Sequence, residues 1–257
     1  MDEKKIRILQ MLQQKGRVSV KELSRELACS AVTVRTKIKE LSEAGQLIRV
    51  HGGALRADEG QEDFDRKYHG RHIHQHVAEK KSIAACAYRY IEDQDIILLD
   101  DSTTCFYLAL FIKAHPEKNV AVVTNSLASA NELANLSHVE LYMIGGNVGG
   151  FLPATMGELA EKSIAGFKVE KAFIGVHSIN FEIGLTSIAA PQMQIKQAIL
   201  RTADQVYVLA DSSKFGNGYF SVICPMDEVH QIITDNRISE SNRQKAEALH
   251  IQMVIAE

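Results

Sequence analysis

The sequence predicts a mixed α/β chain in two parts: a small helical head closed by a β-hairpin, and a larger body built on a parallel sheet. Three observations carry this. At 257 residues the chain exceeds one small domain and suits a short head plus a body of roughly 180 residues. Positions 1–56 hold 12 Lys+Arg against 6 Asp+Glu and the remainder 17 against 26, so the overall net charge of −3 conceals a basic head on an acidic body. The apolar spacing is helical near the start, and after a polar stretch it changes to short apolar runs alternating with helical ones.

Residues 3–15 read as a first helix with Ile6, Leu9 and Leu12 on one face, ending at Gly16. Arg17–Val20 is short and extended. Ser19, followed three residues later by Glu22, is the reciprocal capping pair that starts a second helix. That helix is expected to bury Leu23 and Leu27 and to break near Ala28–Cys29. Ser30 then caps a helix over Ala31–Glu43 with Val34, Ile38 and Leu41 as its buried stripe.

Gly45 stops that helix, and Leu47–Arg56 runs out and back around Gly52–Gly53 as a wing able to pair with the extended Arg17–Val20 stretch. The whole is a winged helix-turn-helix over 1–56. The outer face of the third helix carries Val32, Thr36 and Lys39, flanked by Thr33 and Arg35. Hydroxyls, methyls and cations suit the major groove, where Arg pairs with guanine and methyl groups meet thymine. Thr33, Arg35, Thr36 and Lys39 are therefore the expected groove contacts, with Arg49, His51 and Arg56 of the wing on phosphates. The competing reading is a small protein-docking module, since the same geometry serves that use elsewhere.

Residues 57–78 are polar and poorly periodic, which marks a linker. His69, His72, His74 and His76 lie in it, but no carboxylate or cysteine at ligand spacing completes a metal site, and none is expected. From 79 to 257 the alternation of buried strand and helix argues a doubly wrapped, Rossmann-like sheet. A helix from Glu79 through Tyr90 leads to strand Ile96–Leu99, loop Asp100–Thr104 and a helix to about Ala114. Val120–Val123, loop Thr124–Ser126 and a helix to about Leu136 repeat the unit, and Leu141–Ile144 opens onto Gly145–Gly150. Ala172–Val176, Val206–Leu209, Ile232–Thr234 and Met253–Ile255 are the later strands.

Loops after the carboxyl ends of such strands gather on one rim, where ligands bind. Asp100, Ser102, Thr103 and Thr104 offer a carboxylate, hydroxyls and N–H groups at a helix start. Thr124, Asn125 and Ser126 repeat that chemistry from the next strand. Gly146 and Asn147 let the backbone approach a ligand, His177 and Thr186 add polar groups, and Asp211 and Lys214 bring a charge pair. Each loop alone is weak, because Ser and Thr after a strand are commonly helix caps. Their convergence at five strand ends suits a polyol phosphate, with carboxylates for hydroxyls and N–H groups and lysine for phosphate.

No apolar run reaches the ~18 residues of a membrane span, and the start MDEKKIRILQ lacks the apolar centre of a signal peptide. Cys29, Cys86, Cys105 and Cys224 are scattered without metal-ligand spacing and read as reduced, buried small hydrophobes of a cytoplasmic protein.

The chain resembles the DeoR family of bacterial transcriptional regulators over nearly its whole length. The resemblance rests on Thr33-Val34-Arg35, Arg49-Val50-His51-Gly52-Gly53-Ala54, Asp100 with Thr103-Thr104, and Val123-Thr124-Asn125-Ser126-Leu127. Gly145-Gly146, Gly184-Leu185-Thr186 and Asp211-Ser212-Ser213-Lys214-Phe215-Gly216 extend it through the body. It implies a repressor of a sugar-catabolic operon that binds a double-stranded DNA operator as a homodimer or homotetramer. It also implies a phosphorylated sugar as effector and a sensor body similar in fold to ribose-5-phosphate isomerase and the CoA-transferases.

Neither a cofactor nor a membrane partner is expected. Four departures stand out. Thr36-Lys37 replaces a basic residue and Asp, and Ser102 stands where Gly is common. His177-Ser178-Ile179-Asn180 replaces Asp-Gly-x-Asp, and Ala189, Ala190 and Pro191 occupy a stretch that often holds a Glu. The competing class is an isomerase-like enzyme with an appended DNA-binding head, but proton transfer between carbons needs a positioned base that the His177–Asn180 loop lacks in carboxylate form.

Overall fold

The structure, a computed structural model, describes residues 3–15, 17–43, 46–50, 53–56, 73–149 and 152–257. The chain divides into two compact units, 1–73 and 74–257. Gly45, the Gly52 half of the hairpin turn, His51, most of the linker with His69 and His72, and Gly150 lie outside the described residues.

The first unit contains helices α1 (Glu3–Lys15), α2 (Val20–Glu26) and α3 (Ala31–Glu43) with strands β1 (Arg17–Ser19), β2 (Leu47–Val50) and β3 (Gly53–Arg56). The Ser19 hydroxyl accepts the Glu22 N–H at 3.1 Å and starts α2. Ala28, in the left-handed region at φ 47°, turns the chain into α3, where the Ser30 hydroxyl accepts the Thr33 N–H at 3.2 Å. Val34, Ile38 and Leu41 are the buried stripe of α3.

The face of α1 differs from expectation. Ile8, Met11 and Leu12 are buried, whereas Ile6 is 38% exposed and Leu9 only half-buried. The periodicity of α1 allows both faces, and packing against α3 and the wing selects the one through Ile8. Leu27, also expected inside, is half-buried beside the α2 terminus.

The three strands form one antiparallel sheet in the order β1-β3-β2, with Ser19 opposite Gly53. A Cβ on Gly53 would lie 2.1 Å from the Val18 carbonyl oxygen, so only glycine admits this pairing. The wing is therefore clamped to the strand that precedes α2.

The second unit is organised on seven parallel strands in the order β15-β14-β12-β9-β4-β5-β6. These are β4 (Ile96–Leu99), β5 (Val120–Thr124), β6 (Val139–Met143), β9 (Val169–Ile174), β12 (Ala203–Leu209), β14 (Gln231–Asp235) and β15 (Gln252–Ala256). Both faces of the sheet are covered, which is why its strands read as apolar runs rather than as an alternation. Ile97, Leu99, Phe173, Tyr207 and Leu209 pack with α4 (Val77–Tyr88) and α5 (Thr103–Ala114). Leu98, Ala172, Ile174, Val206 and Val208 pack on the opposite face with α7 (Glu158–Ile164) and α8 (Ala190–Leu200). The remaining helices are α6 (Leu127–Leu133), which ends short of Leu136, and α9 (Glu240–Ala248).

Three stretches expected as loops are strands. Asn147–Gly149 is β7, paired antiparallel with β8 (Ala154–Met156). Ser178–Asn180 is β10 and Gly184–Ser187 is β11, and with β13 (Ser221–Cys224) they form a separate ribbon in the order β10-β11-β13. Runs of three or four residues carry too little periodicity to announce a strand. Their hydrogen-bond partners, far away in sequence, make them one.

Candidate functional site

In the first unit α3 presents Val32, 69% exposed, with Arg35, Thr36 and Lys39 exposed around it. The Thr36 hydroxyl donates to the Val32 carbonyl at 3.1 Å, which fixes its rotamer and leaves lone pairs and a methyl for a partner. Thr33 is half-buried and its hydroxyl lies 2.9 Å from that of Ser30, so part of its hydrogen-bonding capacity is spent on the cap.

Lys37, which departs from the family's usual residue, reaches Glu40 at 3.3 Å, and Lys5 of α1 reaches the same carboxylate at 2.8 Å. Hydrogen bonds from Lys5 and then Lys37 hold the Glu40 carboxyl below its usual range. The Lys5–Glu40 pair ties α1 to α3, and the charge of Lys37 is spent on that same carboxylate within α3. Arg49 and Arg56 lie on the paired strands of the wing.

In the second unit the rim is built from the carboxyl ends of β4, β5, β9, β12 and β14. At its centre is Asp100, fully buried directly after β4. One carboxylate oxygen accepts the Ser102 N–H at 2.9 Å. The other accepts the Gly175 N–H at 2.9 Å and pairs with the ammonium of Lys196 on α8. Lys196 also lies 3.8 Å from Asp101, which takes the Gln192 amide N–H at 3.4 Å.

Two carboxylates thus share one buried ammonium. Burial pushes the Asp101 carboxyl up, Lys196 opposes that, and Asp100 reinforces it. Burial works against the Lys196 ammonium, but Asp100 and Asp101 outweigh it and leave its pKa above the ordinary value. A Cβ on Gly175 would fall 2.3 Å from the Ser102 Cβ, so the loop after β9 presses directly on the loop after β4.

Around this centre the expected residues divide by role. Ser102 caps α5 through the Cys105 N–H at 3.2 Å, and Ser126 caps α6 through the Ser129 N–H at 3.2 Å. Thr124 donates to the Leu99 carbonyl at 2.7 Å and accepts the Ser126 N–H at 3.1 Å, which ties β5 to β4. Thr103 is half-buried and Thr104 buried in the first turn of α5. Asn125 donates its amide to the Thr155 carbonyl of β8 at 3.2 Å, so the β7–β8 hairpin carrying Gly146 and the exposed Asn147 docks beside β5. His177 continues from Gly175, and its ring nitrogen lies 3.3 Å from the Ser187 hydroxyl. Thr186 is fully buried and donates to the Ser178 carbonyl at 3.2 Å.

Asp211, 1% exposed, receives the Ser213 N–H at 3.1 Å and the Ser213 hydroxyl at the head of a one-turn helix ending at Lys214. Among the described residues, the side-chain carbonyl oxygens of Asn125 and Gln192 are buried without a hydrogen-bond partner. The partners of the two amide nitrogens fix which end of each amide is the oxygen. Both are acceptors, and each matches a donor such as a sugar hydroxyl.

Sequence reasoning missed three participants: Lys196, Gln192 and Lys80. Lys196 and Gln192 lie on one face of α8, four apart, with the buried Ile195 and Ile199 beside them. Lys80 is 3% exposed in the first turn of α4. Burial lowers its pKa to about 8, with Lys214 also lowering it while Asp211 and Glu79 raise it. The signal was present: Lys80, Ile83, Ala84 and Ala87 share one helical stripe, and a lysine on an apolar stripe asks for a reason. Glu79, beside it, pairs with Arg237 after β14, and Asp235 of β14 accepts the Ser212 N–H at 2.6 Å. Among the described residues no group of three or more His, Cys, Asp or Glu is placed to hold a metal ion.

Residues 5–59 match the DeoR-like helix-turn-helix domain, and residues 75–236 match the DeoR C terminal sensor domain. The chain is 31% identical over 240 residues to an uncharacterized HTH-type transcriptional regulator, YulB, of Bacillus subtilis, covering 93% of this chain and 91% of that one. It is 29% identical to a lactose phosphotransferase system repressor of Staphylococcus epidermidis, covering 89% of this chain and 90% of that one. A solved ribose 5 phosphate isomerase A from Neisseria gonorrhoeae superposes with TM-score 0.40 and 13% identity over 54% of this chain and 53% of that one. With its head and most of its body matched, the chain belongs to the DeoR family of transcriptional regulators.

Proposed function

We propose that the chain is a cytoplasmic, sequence-specific transcriptional repressor of a carbohydrate-utilisation operon, modulated by a phosphorylated sugar. In this reading residues 1–56 bind the operator, 57–78 link, and 79–257 sense the effector and hold a homodimer or homotetramer together. The name of one relative, a lactose phosphotransferase system repressor, supports the sugar connection. One observation carries the effector reading: the buried, unpartnered amide carbonyls of Asn125 and Gln192 sit on the same rim as Lys80 and Lys214. Acceptors take the hydroxyls of a polyol and cations take its phosphate.

Non-catalytic binding is favoured over isomerisation by the state of the carboxylates. Asp100 is held by two N–H groups and Lys196, and Asp211 by Ser213, so neither is presented as a base to a substrate carbon. No helix among the described residues is long and apolar enough to cross a membrane.

Footprinting the DNA upstream of neighbouring sugar-transport or sugar-kinase genes is expected to show a protected site. A phosphorylated sugar is expected to change that protection, and the unphosphorylated sugar to leave it unchanged. Arg35→Ala is expected to weaken binding by about 1–3 kcal/mol and to relax preference at one base pair. Absence of any protected site across salt and protein concentrations overturns the reading, and so does rapid turnover of ribose 5-phosphate.

A further inference from the structure

The segment between the one-turn helix at Ser212–Lys214 and β13 carries two aromatic side chains that stand largely in solvent. Phe220 is 98% exposed and Tyr219 is 50% exposed. Their backbone is nevertheless held. The Tyr219 N–H donates to the fully buried Thr186 hydroxyl at 2.9 Å, and the Gly216 N–H donates to the Ile179 carbonyl at 3.0 Å. Asn180 grips the Gly216 carbonyl at 3.2 Å, and Phe215 packs against Phe181 with ring centroids 5.9 Å apart. A side chain of this size on a fixed backbone, half in solvent, is preorganised without being packed.

The position of Tyr219 relative to the rim is specific. Its ring meets the His177 imidazole edge to face, with centroids 6.3 Å apart and planes at 86°. His177 is two residues from Gly175, whose N–H is held by Asp100. The ring therefore abuts the same loop after β9 whose backbone meets Asp100. The half-buried His177 imidazole forms a polar ledge beside the ring, backed by the fully buried Thr186 and Ser187. A flat ring beside such a ledge suits a molecule with one polar edge and one carbon-lined face, because the negative π face attracts polarised C–H groups.

We propose that Tyr219 is the shelf on which the carbon face of a phosphorylated sugar stacks, and that it selects which sugar is accepted. The assignment rests on the effector reading above and adds the residue that distinguishes a sugar ring from phosphate alone.

The test uses the full chain and its Tyr219→Ala, Tyr219→Phe and Phe220→Trp variants. Each is titrated with inorganic phosphate, glucose 6-phosphate, galactose 6-phosphate, fructose 1-phosphate and ribose 5-phosphate while thermal stabilisation is followed. Tyr219→Ala is expected to weaken the best sugar phosphate about three- to tenfold, the size of one aromatic contact, while inorganic phosphate binds as before. Tyr219→Phe is expected to retain sugar binding.

The chain contains no Trp, so Phe220→Trp provides a single reporter, expected to shift to the blue with a sugar phosphate and not with inorganic phosphate. Undiminished sugar binding in Tyr219→Ala, or equal loss for sugar phosphate and inorganic phosphate, overturns the stacking assignment alone. A tryptophan signal that follows protein concentration instead of ligand assigns the pair to contact with a second copy and also overturns it. A wild-type chain that none of the four sugar phosphates stabilises removes the effector reading, and this inference with it.

Discussion

At the scale of single residues the rim depends on buried charges that do not cancel. Asp100 and Asp101 face one ammonium, Lys196, with almost no exposure to water. Replacing it by methionine strands both carboxylates, so Lys196→Met is expected to cost about 3–5 kcal/mol in urea unfolding at neutral pH. The deficit should shrink on acidification. A carboxyl whose folded pKa is raised, as Asp101's is, favours the folded state at low pH and loses that contribution as pH rises.

Lys80 behaves in the opposite sense. Its pKa falls from the ordinary 10.5 to about 8, so the folded chain bears a penalty for the ammonium that is complete below pH 8 and vanishes above 10.5. Lys80→Met is therefore expected to raise stability at pH 7 by about 1–3 kcal/mol. It should remove the rise in stability between pH 8 and 10.5 and blunt the response of DNA binding to a sugar phosphate. A melting series across pH on both proteins reads the first two, and operator release reads the third. A stabilised variant with an intact response would place Lys80 outside the effector site.

At the scale of elements, α3 and the wing show how differently sequence signals survive folding. The bounds of α3 follow from its cap and stripe, Ser30 with Val34, Ile38 and Leu41, because capping and burial are both local in sequence. The face of α1 does not follow from its own residues. Ile6 and Ile8 are equally apolar, and only the neighbours decide which is covered.

The β10-β11-β13 ribbon was not legible at all. Its strands are three or four residues long, and one partner, β13, comes some 35 residues after the others. The wing pairing is the reverse case, since the short extended stretch Arg17–Val20 already implied a partner for the wing, and the structure adds the close approach of the Val18 carbonyl to Gly53. Gly53→Ala is expected to spring β3 from β1 and to weaken DNA binding, while the thermal unfolding of the larger unit is unchanged. Wild-type operator affinity in that variant would show that the clamp is dispensable.

For the whole molecule the governing quantity is the separation of charge between head and body. A net +6 on residues 1–56 and −9 on the rest means that the affinity for DNA should fall steeply with salt, whereas the response to sugar phosphates reflects the buried rim and should fall far less. Titrating operator DNA and a sugar phosphate separately between 50 and 200 mM salt, a range of about fourfold, measures both slopes. Parallel slopes would contradict the division of labour. A single head covers too little DNA for tight binding, so operator affinity should depend on protein concentration and on the spacing of two half-sites.

Sequence by itself determined the two-part architecture, the bounds of α3, the alternation of strand and helix, and the family. Each is written in neighbouring residues: caps, apolar periods, charge blocks and loops that follow strands. It also named much of the rim, because loops after parallel strands must gather at one end of the sheet. Only the tertiary structure decided the partners of those loops. Asp100 meets Lys196 from ninety-six residues away, Gly175 meets Ser102, and Lys80 comes beside Asp211 from a helix that begins the body. Hydrogen bonds and ion pairs between distant strand ends leave no period in the chain. The chemistry of the rim is therefore set by which ends the fold brings together.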